Sequence, residues 1–130
     1  MEERFFYCET CGNLLLATIA SGIIPYCCGE EMTLLTPNTS DGNHEKHLPV
    51  VELTSAGNMV ITIGSVLHPM TPEHNIRFVC LVTSSECIIH YLDEGEQPSV
   101  LIYYRGTPLA AYAYCNLHGL WRVDIEAEEG

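Results

Sequence analysis

The sequence predicts an all-β protein in which a small cysteine-rich domain precedes an immunoglobulin-like antiparallel β-sandwich. Three observations predict this architecture. Four of the seven cysteines lie within the first 36 residues. Seven short apolar, β-branched and aromatic runs follow, with almost no helical periodicity, and turn-forming residues separate each run from the next. We therefore expect two domains, residues 1–36 and residues 37–130.

Composition and charge exclude several classes of partner. The 130 residues carry 5 Lys+Arg against 17 Asp+Glu, which gives a formal net charge of −12. Nucleic acids and anionic membranes attract basic proteins, so we expect neither as a partner. The amino-terminal residues lack a basic stretch followed by an apolar one, and no apolar run approaches the length of a membrane span. The expected compartment is the cytoplasm, where cysteines serve as metal ligands or thiols rather than as disulfides.

The first predicted element is a four-cysteine metal site. Its ligands follow the pattern C-x2-C, then fifteen residues, then an adjacent pair: Cys8, Cys11, Cys27 and Cys28. Four thiolates close a tetrahedron around zinc or a single iron ion. So short a domain cannot bury enough apolar surface to fold alone, and we expect the metal to supply much of the folding energy. Because two ligands are adjacent in the chain, we also expect the site to be distorted.

The turn-rich stretch TPNTSDGNHEKH comes next, and beyond it we predict the strands of the sandwich. Turn signals such as SAGN, DEGEQP and RGTP separate seven runs: VVELT (50–54), MVITI (59–63), IRFVCLVT (76–83), CIIHYL (87–92), SVLIYY (99–104), LAAYAYC (109–115) and LWRVDI (120–125). Cys80 and Cys87 lie in apolar runs, so we expect inert core thiols. His90 alternates with apolar residues, as a histidine of a sheet does.

A second candidate metal site consists of histidines in loops or at strand ends together with one late cysteine. A sandwich scaffold presents its functional side chains at such positions. The candidates are His47, His68, His74, His118 and Cys115. Spacing alone makes this only a hypothesis, because a histidine in a loop is usually just solvated.

Six stretches give the chain a resemblance to a known family. They occur in order over nearly the whole chain: FYCETCGN, CCGEEM, EKHLPV, GSVLHPM, EHNI and YCNLHGLW. In these the chain resembles desulfoferrodoxin, the two-iron form of superoxide reductase. The resemblance implies a rubredoxin- or desulforedoxin-like first domain, whose Fe(Cys)4 centre is bound by Cys8, Cys11, Cys27 and Cys28. It also implies a neelaredoxin-like sandwich, whose iron is bound by His47, His68, His74, His118 and, axially, Cys115.

The resemblance also implies an activity, the one-electron reduction of superoxide to hydrogen peroxide, with the Fe(Cys)4 centre as an electron relay. Glu45 and Lys46 match the acidic–basic pair that precedes the first histidine ligand in this family. Lys46 would orient the superoxide anion or hold a water that delivers a proton. Glu45 would close onto the ferric iron after the product leaves. A rubredoxin-like electron donor and a homodimer are further expectations from the family.

Alternatives stay open at this stage. One is a superoxide dismutase-like activity, which would release dioxygen. Another is a zinc-ribbon module fused to a metal-binding sandwich without redox activity. The colour of the protein separates iron from zinc, because ferric thiolate centres are coloured and zinc sites are not. For Glu45 and Lys46 the alternative is a pair of solvated charges in a linker.

Overall fold

The computed structural model of the protein describes residues 4–39, 47–54, 57–64 and 68–125. Within these ranges there are twelve β-strands and no helix, and every strand pairing is antiparallel. The predicted all-β fold class is therefore confirmed. No helix capable of crossing a membrane occurs in the part of the chain that the structure describes. The chain divides into two compact units, Met1–Thr36 and Pro37–Gly130.

The first unit consists of short strands with little apolar surface between them. A three-stranded sheet has the order β2-β1-β5, and a separate hairpin joins β3 to β4. The strands are β1 Arg4–Tyr7, β2 Leu14–Ala17, β3 Tyr26–Cys27, β4 Glu30–Glu31 and β5 Thr33–Leu34. Its core cluster contains Phe6, Cys8 and Met32. So small a core does little to offset the entropy of ordering the chain, which agrees with a fold that depends on a bound metal.

The second unit is a sandwich of two antiparallel sheets. One sheet has the order β10-β7-β6 and the other has the order β12-β11-β8-β9. The strands are β6 Pro49–Leu53, β7 Asn58–Ile63, β8 Ile76–Thr83, β9 Cys87–Tyr91, β10 Ser99–Tyr103, β11 Pro108–Cys115 and β12 Gly119–Asp124. Each of the seven predicted strands is present, with its ends displaced by at most about one residue, as is usual for strand boundaries.

Side-chain alternation decides which residues of these strands enter the core. Met59, Ile61 and Ile63 of β7 are fully buried, because successive side chains of a strand point to opposite faces of the sheet. The core cluster draws on both sheets: Met59, Ile61, Ile63, Ile76, Val79, Leu81, Leu92, Val100, Ile102, Ala111, Ala113 and Cys115. Cys115, at the end of β11, therefore presents its sulfur from the apolar interior.

The expectation for the two cysteines of β8 and β9 is wrong in part. Cys80 is fully buried, whereas Cys87 is exposed. The difference follows from the strand order. β8 has a neighbouring strand on each side, whereas β9 is at the edge of the sheet and has β8 as its neighbour on one side only. His90 lies on the same edge strand, as expected of a sheet histidine, and is exposed.

Candidate metal centres

The four amino-terminal cysteines come together in the first unit. Their sulfurs all lie within 4.8 Å of one another. Cys11 Sγ is 3.6 Å from Cys27 Sγ, and Cys27 Sγ is 4.0 Å from Cys28 Sγ. A tetrahedron with metal–sulfur bonds of about 2.3 Å has sulfur–sulfur edges of about 3.8 Å. These separations fit a single four-coordinate ion.

Two tight turns deliver these sulfurs. In the first turn, the Cys11 N–H donates to Cys8 Sγ over 3.5 Å, and the Gly12 N–H donates to the Cys8 carbonyl over 2.8 Å. In the second turn, Cys28 and Gly29 are the central residues of the β3–β4 hairpin, with φ of 54° and 76°. Positive φ at both positions is the signature of a type I′ turn, in which a non-glycine residue pays about 1–2 kcal/mol. This turn places the adjacent ligands Cys27 and Cys28 at the tip of the hairpin.

The thiols of this cluster differ in acidity. The Cys11 N–H lowers the pKa of the Cys8 thiol to about 7. Hydrogen bonding with the sulfurs of Cys11 and Cys8 raises the pKa of the Cys27 thiol, and raises the pKa of the Cys28 thiol to about 12. Four thiols this close do not all ionise unaided, because each new thiolate repels those already formed. A bound cation removes that repulsion, so metal binding and deprotonation of the cluster are coupled.

Four histidines of the second unit form a closed ring of imidazoles. The distance between ring centroids is 4.7 Å for His47 and His68 and 4.5 Å for His68 and His74. It is 5.0 Å for His74 and His118 and 4.8 Å for His118 and His47, which closes the ring. Across the ring, His47 and His74 are 6.2 Å apart. Neighbouring planes meet at angles between 60° and 79°. Their cyclic order is therefore that of four ligands arranged around one point.

The sulfur of Cys115 lies close to the axis of this ring. It is 3.6 Å from His68 Nε2 and 3.8 Å from His118 Nδ1, which occupy opposite corners. His47 Nε2 and His118 Nδ1 are 3.1 Å apart. Two nitrogens bound at a right angle with metal–nitrogen bonds of about 2.1 Å would be about 3.0 Å apart. These separations are compatible with a single ion that has imidazole nitrogens around it and the sulfur on the axis.

Not all five candidates meet equally tightly. The donor atoms of His47, His74, Cys115 and His118 all lie within 4.8 Å of one another. His68 stands outside that group of four and joins it through its contact with the Cys115 sulfur and with its two neighbouring rings. All five candidates are nevertheless in one cluster, although His47 and His118 are 71 positions apart in the chain.

Neighbouring groups orient two of the histidines. The Nδ1 of His68 is 2.7 Å from the Pro69 carbonyl, and since a carbonyl only accepts, Nδ1 carries the proton and donates. The lone pair of the neutral ring is then on Nε2, the nitrogen that contacts Cys115 Sγ. Trp121 stacks on His47, with 4.4 Å between centroids and 10° between planes. The Trp121 Nε1–H donates to the His118 carbonyl over 3.2 Å.

Asn116 joins the turn that carries Cys115 and His118 to the loop that carries His74. Its Nδ2 donates to the Glu73 carbonyl and its Oδ1 accepts from the Asn75 N–H, both over 2.9 Å. Its backbone N–H donates to the Asn75 carbonyl over 3.1 Å. Three hydrogen bonds thus connect segments that are about 40 residues apart in sequence. Three of the five candidate ligands depend on this connection for their relative position.

Burial gives the site an inner and an outer side. Cys115, His47 and His68 are buried, His74 is half-buried and His118 is exposed. The sulfur side of the ring is therefore closed by the sandwich core, while the edge at His118 meets solvent. Glu45 and Lys46, the other two predicted site residues, lie outside the described residues, as does His44.

Two residues that support the site were not identified as such from the sequence. Trp121 lies three residues after His118, and a tryptophan so close to a ligand turn was a usable signal. Asn116 is the second such residue, and its side chain contacts the His74 loop. The residues that its side-chain amide contacts lie some 40 positions away in the sequence, so no local pattern predicts that contact.

The comparisons with known proteins agree with this geometry. A family profile described as Desulfoferrodoxin matches residues 39–124. A desulfoferrodoxin of Nitratidesulfovibrio vulgaris is 40% identical over 123 residues, covering 95% of this chain and 97% of the relative. A superoxide reductase of Pyrococcus horikoshii is 29% identical and covers 72% of this chain and 96% of the relative. The crystal structure of the superoxide reductase from Treponema pallidum is similar with a TM-score of 0.80 and 33% identity, covering 95% of this chain and 98% of that one.

Proposed function

The chain belongs to the desulfoferrodoxin family, and from that premise we propose that it is a superoxide reductase with two iron centres. The reaction consumes one superoxide anion, one electron and two protons, and yields one molecule of hydrogen peroxide. The observation that carries the proposal is the ring of four histidines with the Cys115 sulfur on its axis. One sulfur combined with four imidazoles is not the closed four-ligand set of a structural zinc site.

The ligands are assigned from these two clusters. The Fe(Cys)4 centre is held by Cys8, Cys11, Cys27 and Cys28, and the catalytic iron is held by His47, His68, His74, His118 and Cys115. Residues 1–36 are then the desulforedoxin-like domain and residues 37–130 the neelaredoxin-like domain. The distances between donor atoms and the division of the chain into two compact units support these assignments.

Iron in the second cluster would supply one-electron redox chemistry to a small anion. The chain contributes the setting for it. Cys115 is held in the apolar core, away from solvent, and its thiolate would donate electron density to a bound iron from the buried side. A single thiolate charge among four neutral imidazoles only partly neutralises a divalent cation. With iron bound, the remaining positive charge would attract superoxide locally, against a formal net charge of −12 for the chain.

Superoxide reaches the ring from the solvent side, because the core closes the sulfur side and His118 is exposed. Lys46 precedes His47 directly in the chain, and by the family resemblance its ammonium group would orient the anion or hold a water that delivers a proton. Glu45 would close the site after hydrogen peroxide leaves. Both roles come from the family and from the position of these residues beside His47.

The partners and the compartment complete the proposal. A rubredoxin-like donor supplies electrons, and the Fe(Cys)4 centre relays them. Two of its sulfurs belong to exposed residues, Cys11 and Cys28, which suits transfer from an external protein. The protein is a homodimer in the cytoplasm, a compartment in which cysteine thiols stay reduced and available as ligands.

The stoichiometry of the reaction tests the function. The iron-loaded protein is reduced, mixed anaerobically with superoxide, and assayed for hydrogen peroxide and dioxygen. A reductase yields about one peroxide per superoxide and no dioxygen, whereas dismutation yields about one peroxide per two superoxide anions together with dioxygen. Release of dioxygen with about one peroxide per two superoxide anions would show that the protein catalyses dismutation and not reduction. A colourless protein that holds zinc after growth in iron-replete medium would contradict both activities.

A further inference from the structure

Cys80 and Cys87 form a third sulfur cluster, which neither iron centre uses. Their Sγ atoms are 3.5 Å apart. Cys80 pairs with Ile89 across the β8–β9 ladder, and Cys87 pairs with Val82, so the two cysteines are diagonal neighbours on the same face of the sheet. Val79 and Leu81, which flank Cys80, belong to the sandwich core. The sulfur pair therefore lies on the opposite face, away from the core.

The two thiols have complementary surroundings. Cys87 is exposed, whereas Cys80 is fully buried. Cys87 is open to solutes as a residue, and the Cys80 sulfur is within van der Waals distance of the Cys87 sulfur and protected from solvent. This combination of an accessible thiol and an adjacent resolving thiol is typical of cysteine pairs that oxidise reversibly.

The local backbone allows the sulfurs to approach further. A disulfide has a sulfur–sulfur bond of about 2.05 Å, so the two atoms need to close by about 1.5 Å. Cys87 is the first residue of the edge strand β9 and follows the turn at Thr83–Glu86. A residue at the beginning of an edge strand adjusts its backbone more easily than one in the centre of a sheet.

The position of Cys80 on β8 sets the distance of the pair from the proposed catalytic centre. The strand begins at Ile76, which pairs with the ligand Cys115. Cys80 is four residues further along, which is about 13 Å at 3.3 Å per residue. If the chain is the superoxide reductase proposed above, hydrogen peroxide leaves the catalytic iron within a short diffusion distance of these thiols.

We propose that Cys80 and Cys87 are a peroxide-reactive dithiol that converts reversibly to a disulfide; the identity of the physiological oxidant rests on the proposed function. Cys87 attacks one oxygen of hydrogen peroxide, so that an S–O bond forms, the O–O bond breaks and the departing hydroxide takes the thiol proton as water. Cys80 then attacks the Cys87 sulfur. The S–S bond forms, the S–O bond breaks and a second water leaves with the Cys80 proton. Two thiols are oxidised by two electrons and one peroxide is reduced to two waters.

The sequence allows this pair to be assayed separately from every other cysteine. Cleavage after Arg77 and Arg105 releases residues 78–105, a peptide that contains Cys80 and Cys87 and no further cysteine. The reduced, iron-loaded protein is treated with added hydrogen peroxide, alkylated, digested and weighed. The expected product is an unalkylated peptide that is about 2 Da lighter than its reduced form and regains both thiols after treatment with a dithiol reductant. Two alkylated cysteines, or sulfinic acid at Cys87 without a bridge, would overturn the proposal.

Variants assign the order of events. In Cys80→Ser the sulfenic acid on Cys87 persists and is captured by a dimedone-type probe. In Cys87→Ser the oxidation of Cys80 falls roughly tenfold or more because that thiol is buried. Equal oxidation of Cys80 in Cys87→Ser and in the parent protein would contradict the assigned order.

A second arm replaces added peroxide with superoxide and a reductant for the iron centres. A disulfide in both arms supports the dithiol and its proposed oxidant. A disulfide with added peroxide but none with superoxide would contradict the proposed function and leave the dithiol assignment intact. If added peroxide produces no disulfide, the proposal of a peroxide-reactive dithiol is wrong, whatever the activity of the iron centre.

Discussion

The indole of Trp121 lies flat against the imidazole of His47, with 10° between their planes and 4.4 Å between their centroids. The same indole donates a hydrogen bond to the His118 carbonyl. One buried side chain therefore restrains two neighbouring members of the histidine ring, which come from opposite ends of the sandwich sequence. Ligand rings held in this way lose little entropy when a metal binds, because their orientation is fixed beforehand.

Two replacements of Trp121 should distinguish its stacking on His47 from its hydrogen bond to the His118 carbonyl. Trp121→Ala removes the stacking partner and the hydrogen bond and leaves a cavity, so we expect unfolding free energy to fall by about 3–5 kcal/mol and iron occupancy of the second centre to drop. Trp121→Phe keeps a stacked ring and loses the bond to the His118 carbonyl and part of the stacked surface, and its effect should be smaller. Denaturant titration and iron quantitation measure both. Equal iron occupancy in the alanine variant and the parent would refute the role given to the indole.

Two cysteine-to-serine variants should have opposite effects on the two centres. Cys115→Ser removes the axial sulfur, so we expect superoxide reduction to be lost while the visible spectrum of the Fe(Cys)4 centre is unchanged. Cys28→Ser should perturb that spectrum and destabilise the first unit, with much of the reductase activity retained when electrons are supplied directly. Spectra and activity recorded on both variants form the test. Full activity in Cys115→Ser would rule out the proposed catalytic centre.

Removal of metal should affect the two units unequally. The core cluster of the first unit contains three residues, whereas that of the second draws on strands of both sheets. We expect the metal-free protein to lose structure over β1–β5, because structural metal binding contributes on the order of 10 kcal/mol to the folding of such small domains. The sandwich strands should persist. Amide hydrogen exchange with and without a chelator measures this, and unchanged protection in β1–β5 would contradict it.

Asn116 should matter for metal affinity more than its exposed position suggests. Asn116→Ala removes the bonds to Glu73 and Asn75 that connect the His74 loop to the Cys115–His118 turn. We expect iron affinity to fall about 10–100-fold, as for other groups that orient metal ligands. Leu117→Ala is the matched control, since Leu117 is 60% exposed in the same turn. Competition with a chelator gives both affinities, and equal losses in the two variants would assign the effect to the turn in general.

Much of this architecture follows from local pattern. The seven apolar runs predicted the sandwich strands because each has the length of a strand, is rich in apolar, β-branched or aromatic residues, and ends at a turn signal. The spacing of Cys8, Cys11, Cys27 and Cys28 predicted their cluster for a similar reason, since two short turns supply all four sulfurs. In both cases the information lies within a few neighbouring residues.

The histidine ring depends instead on contacts that are distant in sequence. No local pattern gives the order of the rings, the use of Nδ1 by His118 or the axial position of the Cys115 sulfur, because four separate segments decide them. The family resemblance supplied these ligands where spacing did not. The exposure of Cys87 was missed for the same reason, as strand order, not composition, places β9 at the edge.

The most direct test of the central claim is an anaerobic crystal structure of the iron-loaded protein with diffraction recorded at the iron absorption edge. We predict an iron peak inside the histidine ring, bonded to one nitrogen from each of His47, His68, His74 and His118 at about 2.1 Å, with Cys115 Sγ on the ring axis. An iron position that excludes the Cys115 sulfur, or a ring without iron in protein that reduces superoxide, would contradict the assignment.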